Sequence, residues 1–362
     1  MHYLKKLFRG RNKLIIVKLD AIGDYILFRN YLEFIRKSDK YNNHHITLCG
    51  NRLWRNLAEE YDKEFIDSFI WMDIPRFSRS RAYRLWCVFR LKIHYYGEVI
   101  SPTHSRRFYI EDDLVKKIRS GKKTGSQGDD FNISPNQKVL GDAYYTHIVT
   151  GTSNVLFEYE KNRVFIDKVL DEQTSYFDKP FIPVKSRKLN AVVVCPGAGA
   201  KFRQWSPCNF AVLCDKIVEE VAVDVVLCGS KSDKVHAGVI IERMKNKNNI
   251  YDRCGETTLI ELVNLIASAK IVIANESSPV HIAVAVDTPA ICLSNGNHFG
   301  RFNPYPPKMT KKVTTLYPPK LTERLESDYE SLVSDYYRGS KEDINQISVL
   351  HVFKAFQSME IR

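Results

Sequence analysis

The chain of 362 residues has no run that approaches ~20 consecutive apolar residues, so no segment of it reads as a membrane-spanning helix. Residues 1–13 are basic but lack the apolar core of a secretory signal, which leads to the expectation of a cytoplasmic protein. Eight cysteines are scattered with no Cys-x-x-Cys pair, and several interrupt apolar segments, where cysteine behaves as a small hydrophobe. They read as reduced thiols rather than as a disulfide or zinc framework. There is no internal repeat and no low-complexity tract. Acidic residues are in short supply: 42 against 54 Lys and Arg, for a net charge of +12. The excess is concentrated early, with 31 basic and 23 acidic residues in 1–183 and 23 and 19 in the remainder. Such a balance attracts anions: nucleic acid, anionic lipid or a phosphorylated substrate. Nucleic acid is the weakest of these, because no recognition motif is present and acidic residues interleave with the basic ones.

What is present is an α/β pattern. Two segments break from an apolar strand into a polar turn: Lys13-Leu14-Ile15-Ile16-Val17-Lys18-Leu19-Asp20-Ala21-Ile22-Gly23-Asp24, and a strand ending in Asn275-Glu276-Ser277-Ser278-Pro279-Val280-His281. In an open α/β sheet, ligands lie at the carboxyl ends of strands. One such turn near each end of the chain predicts two lobes, each of which presents polar atoms to a ligand. The second half alternates strongly. Strands are expected at 191–195, 224–228, 249–252, 270–274 and 289–293, with helices at 206–220, 233–245, 258–269 and 279–286. Ser206-Pro207 supplies a cap and first helical residue, and Thr258-x-x-Glu261 a capping box. The first half is less regular, with strands at 14–19, 45–49, 69–72 and 98–101 and helices at 24–36, 54–61 and 79–93. Residues 122–138 are polar and Gly-containing and read as a loop. The resulting division is an N-terminal domain over 1–180, a linker over 181–190, a C-terminal domain over 191–320 and a helical tail over 321–362. The first domain is one candidate docking place for that tail.

Three ordered landmarks resemble glycosyltransferase family 9, the heptosyltransferase-like enzymes of bacterial surface polysaccharides. Lys18-Leu19-Asp20-Ala21-Ile22-Gly23-Asp24 is similar to the family's opening motif. Cys195-Pro196-Gly197-Ala198, with Lys201, Arg203 and Trp205, is similar to its Pro-Gly-Ala and Lys-x-Trp segment. Cys254-Gly255-Glu256-Thr257-Thr258-Leu259, then residues 275–283 and Asp287-Thr288-Pro289, resembles its final pair of motifs. The resemblance implies a GT-B fold of two Rossmann-like parallel-sheet domains facing a central cleft. It also implies metal-independent, inverting transfer from a nucleotide-diphosphate sugar, with no cofactor, to a lipopolysaccharide, O-antigen or capsular glycan acceptor. No Asp-x-Asp metal element is present in the sequence.

Inverting transfer needs a base to take the acceptor's hydroxyl proton. Asp24 matches the aspartate given that role, with capping of its helix as the alternative reading. Asp20 reads as structural, and Gly23 as the residue that permits the tight turn. A nucleoside-diphosphate leaving group needs cations and backbone N–H donors. The small residues Gly197 and Ala198 let the backbone approach, while Lys201 and Arg203 bring charge. Trp205 reads as core. Thr257, Ser277, Ser278 and His281 complete the donor set, and Glu276 is a candidate acceptor for sugar hydroxyls. Two positions depart from the family: Glu276 replaces Asp, and Ser278 replaces Gly. They open the identity of the donor sugar beyond heptose. They also keep alive the reading of a non-catalytic nucleotide-sugar-binding relative; a GT-B-fold sugar-nucleotide epimerase, which needs no acceptor, is a separate alternative. Arg79, Arg81, Arg84 and Trp86 lie in a basic, aromatic stretch suited to a lipid-linked acceptor or an anionic inner-membrane surface, or else to an ordinary amphipathic helix packed on its sheet.

Overall fold

The structure is a computed structural model and describes residues 12–151, 155–173 and 177–360. The basic N-terminal stretch 1–11 lies outside the described residues. Two compact units divide the chain, Met1–Tyr176 and Phe177–Arg362.

The first unit holds a parallel sheet of β1 (Lys13–Lys18), β2 (His45–Asn51), β3 (Ser68–Met72), β4 (Tyr95–Ser101), β5 (Arg119–Ser126) and β6 (His147–Val149), in the order β3-β2-β1-β4-β5-β6. Leu14 to Val17 of β1 are all fully buried. That is why β1 reads as an unbroken apolar run, as strands covered on both faces do. The helix expected over 24–36 is instead two pieces, Ile22–Ile26 and Tyr31–Lys37. The break follows from competing partners. Asn162 Nδ2 donates to the Leu27 carbonyl, and the Arg29 guanidinium grips Asp62 and the Tyr61 carbonyl.

The helix expected over 79–93 spans Arg81–Lys92, and a further short helix, Ile74–Arg79, precedes it. Asp73 caps the short helix, accepting from Arg76 N, and Ser80 the longer one, accepting from Tyr83 N. The predicted loop at 122–138 is confined to 127–134. The first part of the predicted span lies in β5, and its end opens the helix Pro135–Asp142 behind a Ser134–Gln137 capping box. A strand of sequence Arg-Ser-Gly-Lys-Lys-Thr-Gly-Ser is stable here because its polar groups find partners. Thr124 donates to the Glu98 carboxylate at 2.9 Å, Lys122 pairs with it at 3.0 Å, and Gly125 makes room for the Tyr145 ring.

The second unit repeats the plan with β7 (Ala191–Cys195), β8 (Asp224–Leu227), β9 (Ile250–Asp252), β10 (Ile271–Asn275), β11 (Ala290–Leu293) and β12 (Val313–Leu316), in the order β12-β11-β10-β7-β8-β9, again all parallel. The Ser206 cap and the Thr258–Glu261 capping box form as expected. Residues 181–190 are tied into this unit, with Ile182 N donating to Ala285 O and Leu189 N to Ser268 O. The tail helix Val349–Glu360 places Val352, Phe353 and Phe356 in the second unit's own core with Trp205, Phe210 and Ile217.

Candidate active site

In each sheet the strand order reverses at one point, between β1 and β4 in the first and between β7 and β10 in the second. At such a switch point the loops leave in opposite directions and open a crevice at the strand ends. Both turns singled out in the sequence fall there.

In the first unit, the turn after β1 carries Asp20 and Asp24. Asp20 Oδ2 accepts from the Thr103 hydroxyl at 3.0 Å, joining the end of β1 to the segment after β4. Lys18, fully buried, sets its ammonium 2.7 Å from the same oxygen. Burial works against that charge, but Asp20, Asp24 and Glu158 outweigh it and hold the lysine above its usual pKa. Arg107 reaches the Leu19 carbonyl and is paired with the buried Glu111. Burial raises the Glu111 carboxyl against the pull of Arg107. Asn51 Nδ2 and Trp54 Nε1 both donate to the Asp20 carbonyl, which pins the turn. Asp24 sits in the first turn of the helix Ile22–Ile26 but does not cap it; the N-cap is Ala21. Gly23 is helical rather than left-handed, so it does not make the turn; the extended backbone at Ala21 does. Lys18, Thr103, Arg107 and Glu111 were not legible as site residues in the sequence. Their signal is the strand order, which places the end of β4 beside Asp20.

In the second unit, Asn275 joins three segments. Its Nδ2 donates to the Pro196 carbonyl at 2.6 Å, and its Oδ1 accepts from Trp205 N at 3.0 Å. Ser277 Oγ bridges the carbonyls of Asn275 and Gly197. Gly197 cannot carry a side chain: a Cβ there would lie 2.5 Å from the Asp233 carboxylate. Asp233 in turn accepts from Ser230 N and Oγ. Ala198 follows Gly197 in the loop, and Lys201 and Arg203 stand on the short turn Lys201–Arg203. Lys201 is exposed, whereas the Arg203 side chain folds back over Gly199, and its Nε is buried with no hydrogen-bond partner.

Glu276 is buried. It accepts from the Ser294 hydroxyl, and burial pushes its carboxyl up to about 7, against opposing pulls from Ser294, Arg203 and Asn303. Ser278 and His281 belong to the helix Ser278–Ala285. His281 is buried, with Nδ1 2.6 Å from the Tyr305 hydroxyl. Trp205 is core, as expected, and ties the loop to the tail through Ile347 O. Thr257 lines a cavity of about 400 Å³ with Val226, Tyr251, Arg253 and Glu261. Asn275 and Asp233 are the residues that sequence reasoning passed over; the Ser230-x-x-Asp233 spacing was the available sign of the second. Of the basic, aromatic stretch in the first unit, Arg84 is committed to Asp113 at 2.6 Å, while Arg79, Arg81 and Trp86 are exposed.

Among the described residues, no three His, Cys, Asp or Glu side chains group so as to hold a metal ion, and no helix is long and apolar enough to cross a membrane. The arrangement offers a carboxylate beside buried cations in one unit, and in the other a small-residue loop with a cation over its backbone.

Residues 114–328 match glycosyltransferase family 9 (heptosyltransferase). Lipopolysaccharide heptosyltransferase 2 of Salmonella typhimurium is 32% identical over 102 residues, 27% of this chain and 29% of that one, so the match spans under a third of that relative. The fold is similar to that of a family 9 glycosyl transferase from Veillonella parvula, with a TM-score of 0.72, 16% identity and coverage of 97% and 98%. It is also similar to the Escherichia coli heptosyltransferase WaaC with ADP-2-deoxy-2-fluoro heptose, with a TM-score of 0.69, 13% identity and coverage of 96% and 99%. The two six-stranded parallel sheets are therefore the Rossmann-like units of a GT-B fold. The family match takes in more than half of the chain, from the helix before β5 into the tail, and the protein belongs to glycosyltransferase family 9.

Proposed function

We propose that this protein is a metal-independent, inverting glycosyltransferase. It moves heptose or a related sugar from a nucleoside-diphosphate donor to a lipopolysaccharide, O-antigen or capsular glycan acceptor, on the cytoplasmic side of the cell envelope. The observation that carries this is that both motif turns stand at the switch points of their sheets, with the carboxylate in one and the anion-suited loop in the other. An ADP-sugar is the favoured donor, because the structurally similar Escherichia coli enzyme holds an ADP-heptose analogue.

In this reading, Asp24 takes the proton of the acceptor hydroxyl as its oxygen attacks the anomeric carbon. The anomeric C–O bond to the diphosphate breaks, and the nucleoside diphosphate leaves with the electron pair. Lys201, Arg203 and the backbone N–H groups around Gly197 and Ala198 meet the charge that builds on it. Arg203 is suited to this role, because its buried, unpartnered Nε is the kind of donor that a phosphate oxygen satisfies. Ser277, Ser278 and His281 border that loop's partner strand and belong to the donor side.

A second reading, donor binding without turnover, is favoured by one observation. Glu276 is turned inward to Ser294 rather than presented to a sugar.

A thermal-shift series with ADP, UDP and GDP in the presence of a chelator tests the donor site. Stabilisation by one of them, lost in Arg203→Ala, is expected, since saturating ligand at ~100 times its dissociation constant adds about 2.7 kcal/mol. No shift with any nucleotide overturns the reading. Donor binding without transfer to any glycan acceptor selects the second one.

A further inference from the structure

The helix Arg81–Lys92 has two faces of opposite use. Cys87, Val88 and Leu91 are buried against the first unit's sheet, and Arg84 is drawn the same way by Asp113. The opposite face is apolar yet uncovered. Leu85 is 70% exposed, Trp86 49% and Phe89 64%, and Ile93, the cap residue, 54%. At about 100° per residue, these four fall within an arc of about 100° on the side away from the core. A single exposed leucine is ordinary, but a continuous stripe of four large apolar side chains is not.

Cations border the stripe on both sides. Arg81 and Lys92 project along one flank and Arg90 along the other, where its guanidinium lies 4.7 Å from the Trp86 ring centre. Arg79 stands exposed just before the helix. From Ile74 to Tyr96 there are six basic residues and no acidic one.

We infer that this face is a membrane-contact surface that lays Leu85, Trp86, Phe89 and Ile93 into the headgroup region of an anionic lipid bilayer, with Arg79, Arg81, Arg90 and Lys92 on the lipid phosphates. Charge complementarity selects this occupant. A helix lying in the interface needs apolar residues on one side, basic residues at the flanks and an aromatic at the boundary, and an anionic surface rewards each flanking cation. Two copies of this chain pressed together through the same face would set these cations against one another. The inference does not depend on the proposed catalysis, since none of these residues is placed in the donor or base machinery.

The test is sedimentation of the full chain with vesicles of phosphatidylglycerol and phosphatidylethanolamine, against vesicles of phosphatidylcholine alone. The double variant Trp86→Ser/Phe89→Ser is compared with wild type, and its melting temperature and mass in solution are measured alongside. Expected is binding of the wild type to the anionic vesicles only, weakened by salt. In the variant this binding falls at least tenfold at an unchanged melting temperature. Since both substitutions are on exposed positions, a variant that fails to fold is replaced by Leu85→Gln/Phe89→Gln. Equal vesicle binding by wild type and variant overturns the inference, as does no binding by the wild type. So does a wild-type dimer that the variant loses without any vesicle binding, which would assign the face to a second copy.

Discussion

The Thr103 hydroxyl donates to Asp20 Oδ2 at 3.0 Å, although 83 residues separate the two in the chain. Lys18 Nζ lies 2.7 Å from the same carboxylate oxygen. The bond closes the switch point of the first sheet, four residues before the next acidic residue of the turn, Asp24. A carboxylate held by one hydroxyl and one buried ammonium is a rigid neighbour, and it gives Asp24 a fixed electrostatic setting.

Replacing Lys18 by Met should therefore do more than remove a charge. It leaves Asp20 with the Thr103 hydroxyl but without its ammonium partner, and it removes from Asp24 and Glu158 the buried cation that they share. Breaking one partner of a buried pair costs roughly 3–5 kcal/mol, and urea unfolding of Lys18→Met should show a loss of that order. Lys18→Arg should recover part of it. A variant as stable as wild type would mean that the buried ammonium is not holding the turn.

Asp24→Asn should lower the transfer rate by about 10²–10⁴, the usual contribution of a positioned base. The stabilisation by nucleoside diphosphate should be unchanged, because Asp24 lies in the first unit. Undiminished transfer at saturating substrate would remove Asp24 from the base role.

Glu276 makes stability depend on pH in a defined direction. Its carboxyl is raised to about 7 in the folded protein by burial, against ~4.3 in an unfolded chain. Between these values the folded state binds the extra proton, so stability falls as pH rises through the window and levels off above about 7. The change amounts to at most about 4 kcal/mol. Glu276→Gln keeps an acceptor for the Ser294 hydroxyl and removes the titration. Urea midpoints at pH 5 and pH 8 should then show the variant gaining on wild type as pH rises. A difference that does not change with pH would place the Glu276 pKa in the ordinary range.

Asn275→Ala should be costly for its size. It leaves the Pro196 carbonyl and the Trp205 N–H, which both use the Asn275 amide, without their partners in the interior. At about 1–3 kcal/mol for each stranded group, a loss of about 2–6 kcal/mol is expected in equilibrium unfolding. A loss under 1 kcal/mol would show that the loop after β7 does not depend on this side chain.

Most of the second unit was legible because its signals are local. Strands β7 and β10 are uninterrupted apolar runs, and the Ser206 and Thr258 caps act within a few residues of their own helices. The first unit hid more. β5 reads as a loop until Glu98 and Tyr145 stand beside it, and the helix after β1 reads as one until Asn162 takes the Leu27 carbonyl.

By itself the sequence determined the α/β class, the two polar turns at Asp20–Asp24 and Asn275–His281, and the glycine-rich approach at Gly197. Each of these is written in neighbouring residues, as an apolar run, a turn or a cap. The tertiary structure alone decided that Thr103, Lys18 and Arg107 meet at the first turn, that Asn275 and Asp233 hold the second, and that Glu276 is buried at Ser294. Those contacts depend on which strands become neighbours. The sheet order that puts β1 beside β4 and β7 beside β10 is settled by packing between distant parts of the chain, and it leaves no mark in the local pattern.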